Sequence, residues 1–376
     1  MNDTTRILPR PGNPYTWQRP SGALLSDERE RLGRPNRAAM IRPAWSRRIE
    51  RTLLVGGVVL FGVLLHEIGA AAVLDNVRAV GWAIVLIVAQ EVLAYTANTL
   101  GWWYAFPSPR PSLAFSQLLA TRIAGDAVNY VTPTATLGGE FVRVRMLRGQ
   151  GVTTSVVASV AIAKLSQTVG QVIFIVLGLL IVLPSVSLPP PLRRGLFLGV
   201  SALVAVAMVL LVMQRRGLFA PVLAMLHKMG LPHAVSGLSG RLERLDDEIM
   251  RFYARAGSRF FLSAFWFFIG WTLGILEVSL ILFCLGVPLT IERAVAIEVL
   301  SATIDAMLFF VPAKVGTQEG GKVLIFDVLG LDMAKGLSLG IVRRIRELTW
   351  AGIGLLIWSR AQAEPRPVAG PATIGN

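Results

Sequence analysis

The sequence predicts an all-α polytopic integral membrane protein, and three observations carry the prediction. Of its 376 residues, 53% are hydrophobic and only 16% are charged, a charged share well below that of soluble domains; the mean hydropathy is +0.59. Apolar runs long enough to cross a bilayer as helices, roughly 20 residues each, recur at about 53–74, 80–104, 195–213 and 259–285. The net charge of +14 lies mainly in arginines of the N-terminal segment and the polar connections. That distribution suits an anionic lipid face. Nucleic acid is not an expected partner, since no soluble segment is long enough to build a binding groove.

In chain order, residues 1–50 are rich in arginine and proline with no apolar core, so they read as a disordered, basic cytoplasmic tail and not as a signal peptide. The membrane domain is expected over 51–360. Besides the four clear runs, 152–183 and 335–358 qualify as crossings, although they carry Lys164 and the trio Arg343, Arg344 and Arg346. Two segments, about 112–150 and 290–330, each hold an apolar stretch, a proline (Pro133, Pro312), a Gly-rich turn and a shorter amphipathic piece. The expected architecture is about six crossing helices plus two re-entrant helical hairpins. Residues 217–258, with arginines interleaved among Asp246, Asp247 and Glu248, read as an amphipathic connector on the membrane surface. Residues 361–376 read as a second disordered cytoplasmic tail.

An internal repeat emerges when the sequence is slid over itself. At one constant offset Asp126 falls on Asp305, Pro133 on Pro312, Glu140 on Glu319, Arg143 on Lys322 and Lys164 on Arg343. The repeat units are about 80–183 and 259–358. Arginines at 42, 47, 48 and 51, and the basic residues from Arg215 to Arg259, place the N-terminus and the connector in the cytoplasm. The order of crossings then makes each hairpin enter and leave on one face, and the two faces are opposite. The predicted repeat is therefore inverted, with the hairpins meeting near the middle of the membrane.

Ionisable groups inside a spanning segment cost about 2.5–3.5 kcal/mol each on insertion scales. Asp126, Glu140 and Lys164, with Asp305, Glu319 and Arg343, share this cost in both units. One reading is structural ion pairing within each unit. The other makes these residues a substrate or ion pathway, in which Lys164, Arg343 and Arg346 meet an anionic lipid headgroup while Glu140 and Glu319 gate or carry protons. Glu91 and Glu277 lie in the opening helices of the two units without an assigned role. Glu347 stands four residues after Arg343, the spacing of a local salt bridge. Trp102, Trp103 and Tyr104 read as an interface belt. The single cysteine, Cys284, permits no disulfide within the chain, and His66, His227 and His233 show no metal-ligand spacing. No nucleophile elbow or phosphate loop is present. No cofactor, metal or enzymatic activity is expected.

The stretches GDAVNYVTPTATLGGEFVRVRMLRGQGV and FFVPAKVGTQEGGKVLIFDVLGLDMAKGLSLGIVRRIREL resemble the flippase-like transmembrane domain of lysylphosphatidylglycerol synthases. The resemblance spans about residues 50–360 and is closest to the stand-alone branch associated with hopanoid biosynthesis. Its motif positions are Gly138, Gly139, Glu140, Gln318, Glu319, Gly320 and Gly321. It implies a bacterial inner-membrane protein with membrane lipids as partners. The expected function is lipid translocation, moving or presenting an anionic or isoprenoid lipid between leaflets. The alternative is a non-transporting partner of hopanoid or isoprenoid enzymes. The chain ends soon after Trp358, so the aminoacyl-transferase domain of full synthases, and lysyl transfer with it, are not expected here.

Overall fold

The computed structural model describes residues 59, 61–132, 137–147, 153–184, 186, 189–217, 232–308 and 316–363. Both tails, the expected hairpin tips with Pro133 and Pro312, and part of the connector lie outside the described residues. Among the described residues the regular structure is entirely helical. After a helical segment at 61–68, ten helices follow in order: α1 (Ala70–Val80), α2 (Ala83–Tyr104), α3 (Phe115–Val131), α4 (Leu137–Leu147), α5 (Thr153–Val182), α6 (Pro190–Arg216), α7 (Pro232–Cys284), α8 (Ile291–Met307), α9 (Thr317–Val328) and α10 (Met333–Ala363).

The helices α2, α6, most of α5 and residues Gly240–Cys284 of α7 are long and apolar enough to cross a membrane. By length and composition, four of the expected crossings are met among the described residues; most of the start of the run at 53–74 lies outside them. The run at 53–74 is interrupted where Gly69 adopts φ +95° between a helical segment at 61–68 and α1. Helix α10 has 31 residues, but Arg343, Arg344, Arg346 and Glu347 at its centre remove it from the apolar class. Lipid-type faces are nonetheless plain: Val85, Leu86 and Leu93 on α2, Phe197 and Leu198 on α6, and Phe261 and Phe265 on α7 are exposed.

Helix lengths repeat along the chain. Helices α3 and α8 have 17 residues each, α4 and α9 have 11 and 12, and α5 and α10 have 30 and 31. The short members rise only about 16–18 Å at 1.5 Å per residue, about half of a roughly 30 Å hydrocarbon core. Local chemistry sets their starts. Thr290 caps α8 by accepting from the Arg293 N–H at 3.2 Å. Gly316 takes φ +75° before α9, a conformation open to glycine, and its N–H donates to Glu319 Oε2 at 2.8 Å.

Two apolar cores flank a polar centre. One gathers Ile87, Phe174, Ile175, Ile281, Ile297 and Phe326. The other gathers Trp102, Phe106, Leu118, Ile162, Phe260 and Phe267. The connector joins the second core: Leu245, Ile249 and Phe252 recur at helical spacing and are buried, so this apolar stripe packs on protein and not on the membrane surface. Helix α7 breaks at Ala256 (φ −138°, ψ 30°), which separates the connector from the crossing part. The expected aromatic belt is also corrected at Trp102, which is 1% exposed. Its Nε1 donates to Ser159 Oγ at 3.1 Å because it lies on the face of α2 turned towards α5, while Trp103 and Tyr104 are partly exposed beside Arg110.

The α3–α4 pair closes through glycine. A Cβ on Gly139 would stand 2.1 Å from the Gly125 carbonyl oxygen, and the Gly139 N–H donates to Asn129 Oδ1 at 2.7 Å. Backbone cannot swing aside as a side-chain end can. Gly139→Ala is therefore expected to cost about 1–3 kcal/mol or more, the range of overpacking, read as a fall in the thermal unfolding midpoint in detergent. Gly352→Ala, where an added Cβ meets nothing within 4 Å, is expected to leave the midpoint unchanged or raise it; equal falls in both variants would refute the packing role of Gly139.

Candidate functional site

Between the two cores lies a cavity of about 350 Å³. Its wall is assembled from polar stripes on helices whose other faces are apolar. Helix α2 contributes Gln90, Glu91, Ala94, Tyr95 and Asn98, whose spacing of three and four puts them on one side. Helix α3 adds Arg122, Asp126 and Tyr130, and α5 adds Gln167. The second half of the chain supplies Trp271, Gly274 and Glu277 from α7, Glu298 and Asp305 from α8, and Gln318 and Lys322 from α9. Helix α10 completes the wall with Arg343, Arg346, Glu347 and Trp350. Glycine lets the helices close on one another here: a Cβ on Gly274 would lie 2.2 Å from Glu298 Oε1.

The charges form two networks. In the first, Asp126 accepts from Arg122 Nε at 3.1 Å and from Arg143, and Arg143 also reaches Glu140 at 2.7 Å. In the second, Arg343 bonds Glu298 and stands 3.2 Å from Glu277. Arg346 reaches Glu91 at 2.5 Å and Glu277 at 3.0 Å. Glu277, 1% exposed, is shared by two guanidiniums. A planar guanidinium with five donors suits two carboxylates at once, and pairing is what makes charges tolerable in such a place. The expected Arg343–Glu347 pair does not form. Arg343 turns instead to the two buried acids of α7 and α8, and Glu347 lies 3.5 Å from Arg344 and 3.7 Å from Arg346.

Several contacts cross between the two halves. Glu91 meets Arg346, Trp350 Nε1 donates to the Val88 carbonyl at 2.9 Å, and Arg344 Nη1 donates to the Tyr130 hydroxyl at 2.8 Å. The rings of Tyr95 and Trp350 stand 4.9 Å apart.

Of the residues singled out from sequence, Asp126, Asp305, Gln318, Arg343 and Arg346 share this wall. Glu140 stands behind it, held by Arg143. Glu319, 2% exposed, bonds the N-terminus of α9 and receives Arg344 Nη2 at 2.8 Å. Lys164 is exposed and lies off the wall. The motif glycines Gly139 and Gly321 serve helix packing, Gly321 facing Ile304; Gly138 and Gly320 lie in the same short helices α4 and α9, off the wall. Sequence reasoning missed Gln90, Asn98, Arg122, Glu298, Trp271 and Trp350. The polar stripe from Gln90 to Asn98 was a readable signal, as was the spacing of Glu298 seven residues before Asp305. Which faces would meet was not.

A family model described as the lysylphosphatidylglycerol synthase TM region matches residues 51–354 of the chain. No curated protein and no solved structure matches it.

Proposed function

The chain belongs to the lysylphosphatidylglycerol synthase transmembrane family, and from that premise we propose that it moves or presents a lipid headgroup between leaflets through the polar cavity, while the acyl chains stay outside in the bilayer. It is a multi-pass membrane protein of a lipid-handling family. The observation that carries the reading is the cavity itself: a charged, aromatic-walled space of about 350 Å³ enclosed by helices with apolar outer faces. Such a space suits a polar headgroup and is costly to keep for any other reason. The short helices α4 and α9, and the repeated helix lengths, fit two hairpins of similar build; the reading sets them in an inner membrane, dipping in from opposite faces, with both chain ends in the cytoplasm.

The guanidiniums of Arg343 and Arg346 already answer carboxylates. An anionic headgroup would have to displace them, whereas a headgroup bringing hydrogen-bond donors, as ammonium or hydroxyl groups, finds the remaining acceptors. Glu277 Oε1 and Gln90 Oε1 are buried on this wall without a hydrogen-bond partner, and so is Arg343 Nε. The wall thus offers both acceptors and a donor to a headgroup that carries both kinds of group.

The test is a lipid inventory of a strain lacking the gene, recording each lipid's total and its inner-to-outer leaflet ratio, against the same strain carrying the wild-type gene. The expected result is an unchanged total with an altered ratio for one lipid, restored by the gene. An isoprenoid or hopanoid in that role would assign the chain to the hopanoid-associated branch. Unaltered ratios for every lipid would overturn translocation, and a missing lipid with its precursor accumulated would move the chain to the biosynthetic side.

A further inference from the structure

Helix α6 is the crossing helix least supported by protein. Only 11% of its apolar window is buried, against 28% to 44% for the other three crossing helices. Its first half is flanked by two apolar clefts that share Leu196. The larger, about 800 Å³, runs between Val176, Leu179 and Leu180 of α5, with Leu183 just beyond its end, and Phe197 and Val200 of α6. The smaller, about 230 Å³, lies on the other flank against Leu300 and Ile304 of α8 and Ile325 of α9.

Charge marks one end of the larger cleft. Arg193 and Arg194 line it, both are exposed, and no acid lies on its wall or in the first turn of α6. Neither arginine makes an ion pair among the described residues. The far end of the same helix carries Arg215 and Arg216. Its 27 residues rise about 40 Å, close to the full bilayer thickness of about 40–45 Å with headgroups. The two arginine pairs therefore sit at headgroup level in opposite leaflets, whichever way the helix runs, and only one pair can satisfy the preference of basic residues for the cytoplasmic side.

We propose that the cleft between α5 and α6 is a binding site for a two-chain anionic phospholipid, whose acyl chains fill the apolar wall and whose phosphate meets Arg193 and Arg194. Apolar wall and unopposed guanidiniums are the two halves of one amphiphile's complement. The lipid completes the packing of α6, and the site is separate from the central cavity, with which it shares no wall residue.

The test uses the full chain reconstituted in bilayers of phosphatidylcholine containing a minor fraction of phosphatidylglycerol, then extracted mildly and weighed intact by mass spectrometry with its retained lipids. Wild-type protein is expected to retain phosphatidylglycerol above its bulk fraction. R193Q/R194Q is expected to lose roughly thirtyfold of that preference, from about 1 kcal/mol per arginine at an anionic surface. R215Q/R216Q, which removes the same charge from the other end, is expected to keep most of it. Glycerol phosphate, the headgroup without chains, is expected not to compete. No preference in the wild type, or equal preference in R193Q/R194Q, would overturn the site; competition by glycerol phosphate would reduce it to a phosphate site without the lipid. A thermal midpoint for each variant in pure phosphatidylcholine shows whether it is folded, and a variant that is not is replaced by R193K/R194Q, expected to lose roughly fivefold.

Discussion

Arg343→Met is expected to destabilise the protein by about 3–5 kcal/mol, the cost of leaving a buried charge without its partner. Arg343 is the guanidinium bonded to Glu298, which is 5% exposed, and it shares Glu277 with Arg346. Methionine keeps most of the volume and removes the charge. The readout is the thermal unfolding midpoint in detergent, and the double variant Arg343→Met with Glu298→Gln is expected to recover a good part of the loss, because the stranded carboxylate is then neutral. An unchanged midpoint in the single variant, or no recovery in the double, would show that the network around Glu277 does not hold α7, α8 and α10 together.

Ala94→Phe is expected to slow lipid movement at least tenfold while costing only about 1–3 kcal/mol of stability. Ala94 lies on the cavity wall in the polar stripe of α2, between Glu91 and Asn98. A phenyl ring there takes up space that a headgroup needs. Leu93→Phe adds the same ring to the adjacent position, which is 51% exposed on the apolar face, and is expected to leave movement unchanged. The assay is the leaflet ratio of the lipid identified by the inventory, in cells carrying each variant at equal amounts. Full movement through the Ala94→Phe protein would remove the cavity from the path. Loss in both variants would point to a general effect of bulk on α2.

These two predictions concern residues that sequence treated very differently. Arg343 was legible, since an arginine inside a long hydrophobic run announces its own cost. Ala94 was invisible, because an alanine in a membrane helix carries no signal, and only the closing of α7, α8 and α10 around α2 makes it part of a wall. Glu277 falls between them: its burial cost was readable, but the two guanidiniums that share it come from α10, over sixty residues away in sequence. Lys164 shows the converse. It aligns with Arg343 in the repeat, yet it is exposed and lies off the wall, because matching positions in two units need not meet matching surroundings.

What the sequence by itself determined was the class of molecule and the order of its parts. Apolar runs of membrane length set the helices, glycine set interruptions such as those at Gly69 and Gly316, and acid and basic positions recur at one constant offset along the chain. These are local properties, decided by the side chain, the backbone and the solvent around each segment. The tertiary structure alone decided which stripes face one another, and hence that Asp126, Asp305, Arg343 and Arg346 share one cavity, that Glu319 serves a helix end and Arg344, and that Trp102 is core. It also decided that an apolar cleft opens between α5 and α6 with two arginines on its wall. Pairing of charges and closure of a cavity depend on contacts between distant segments, and a helix periodicity names the face of a helix without naming its partner.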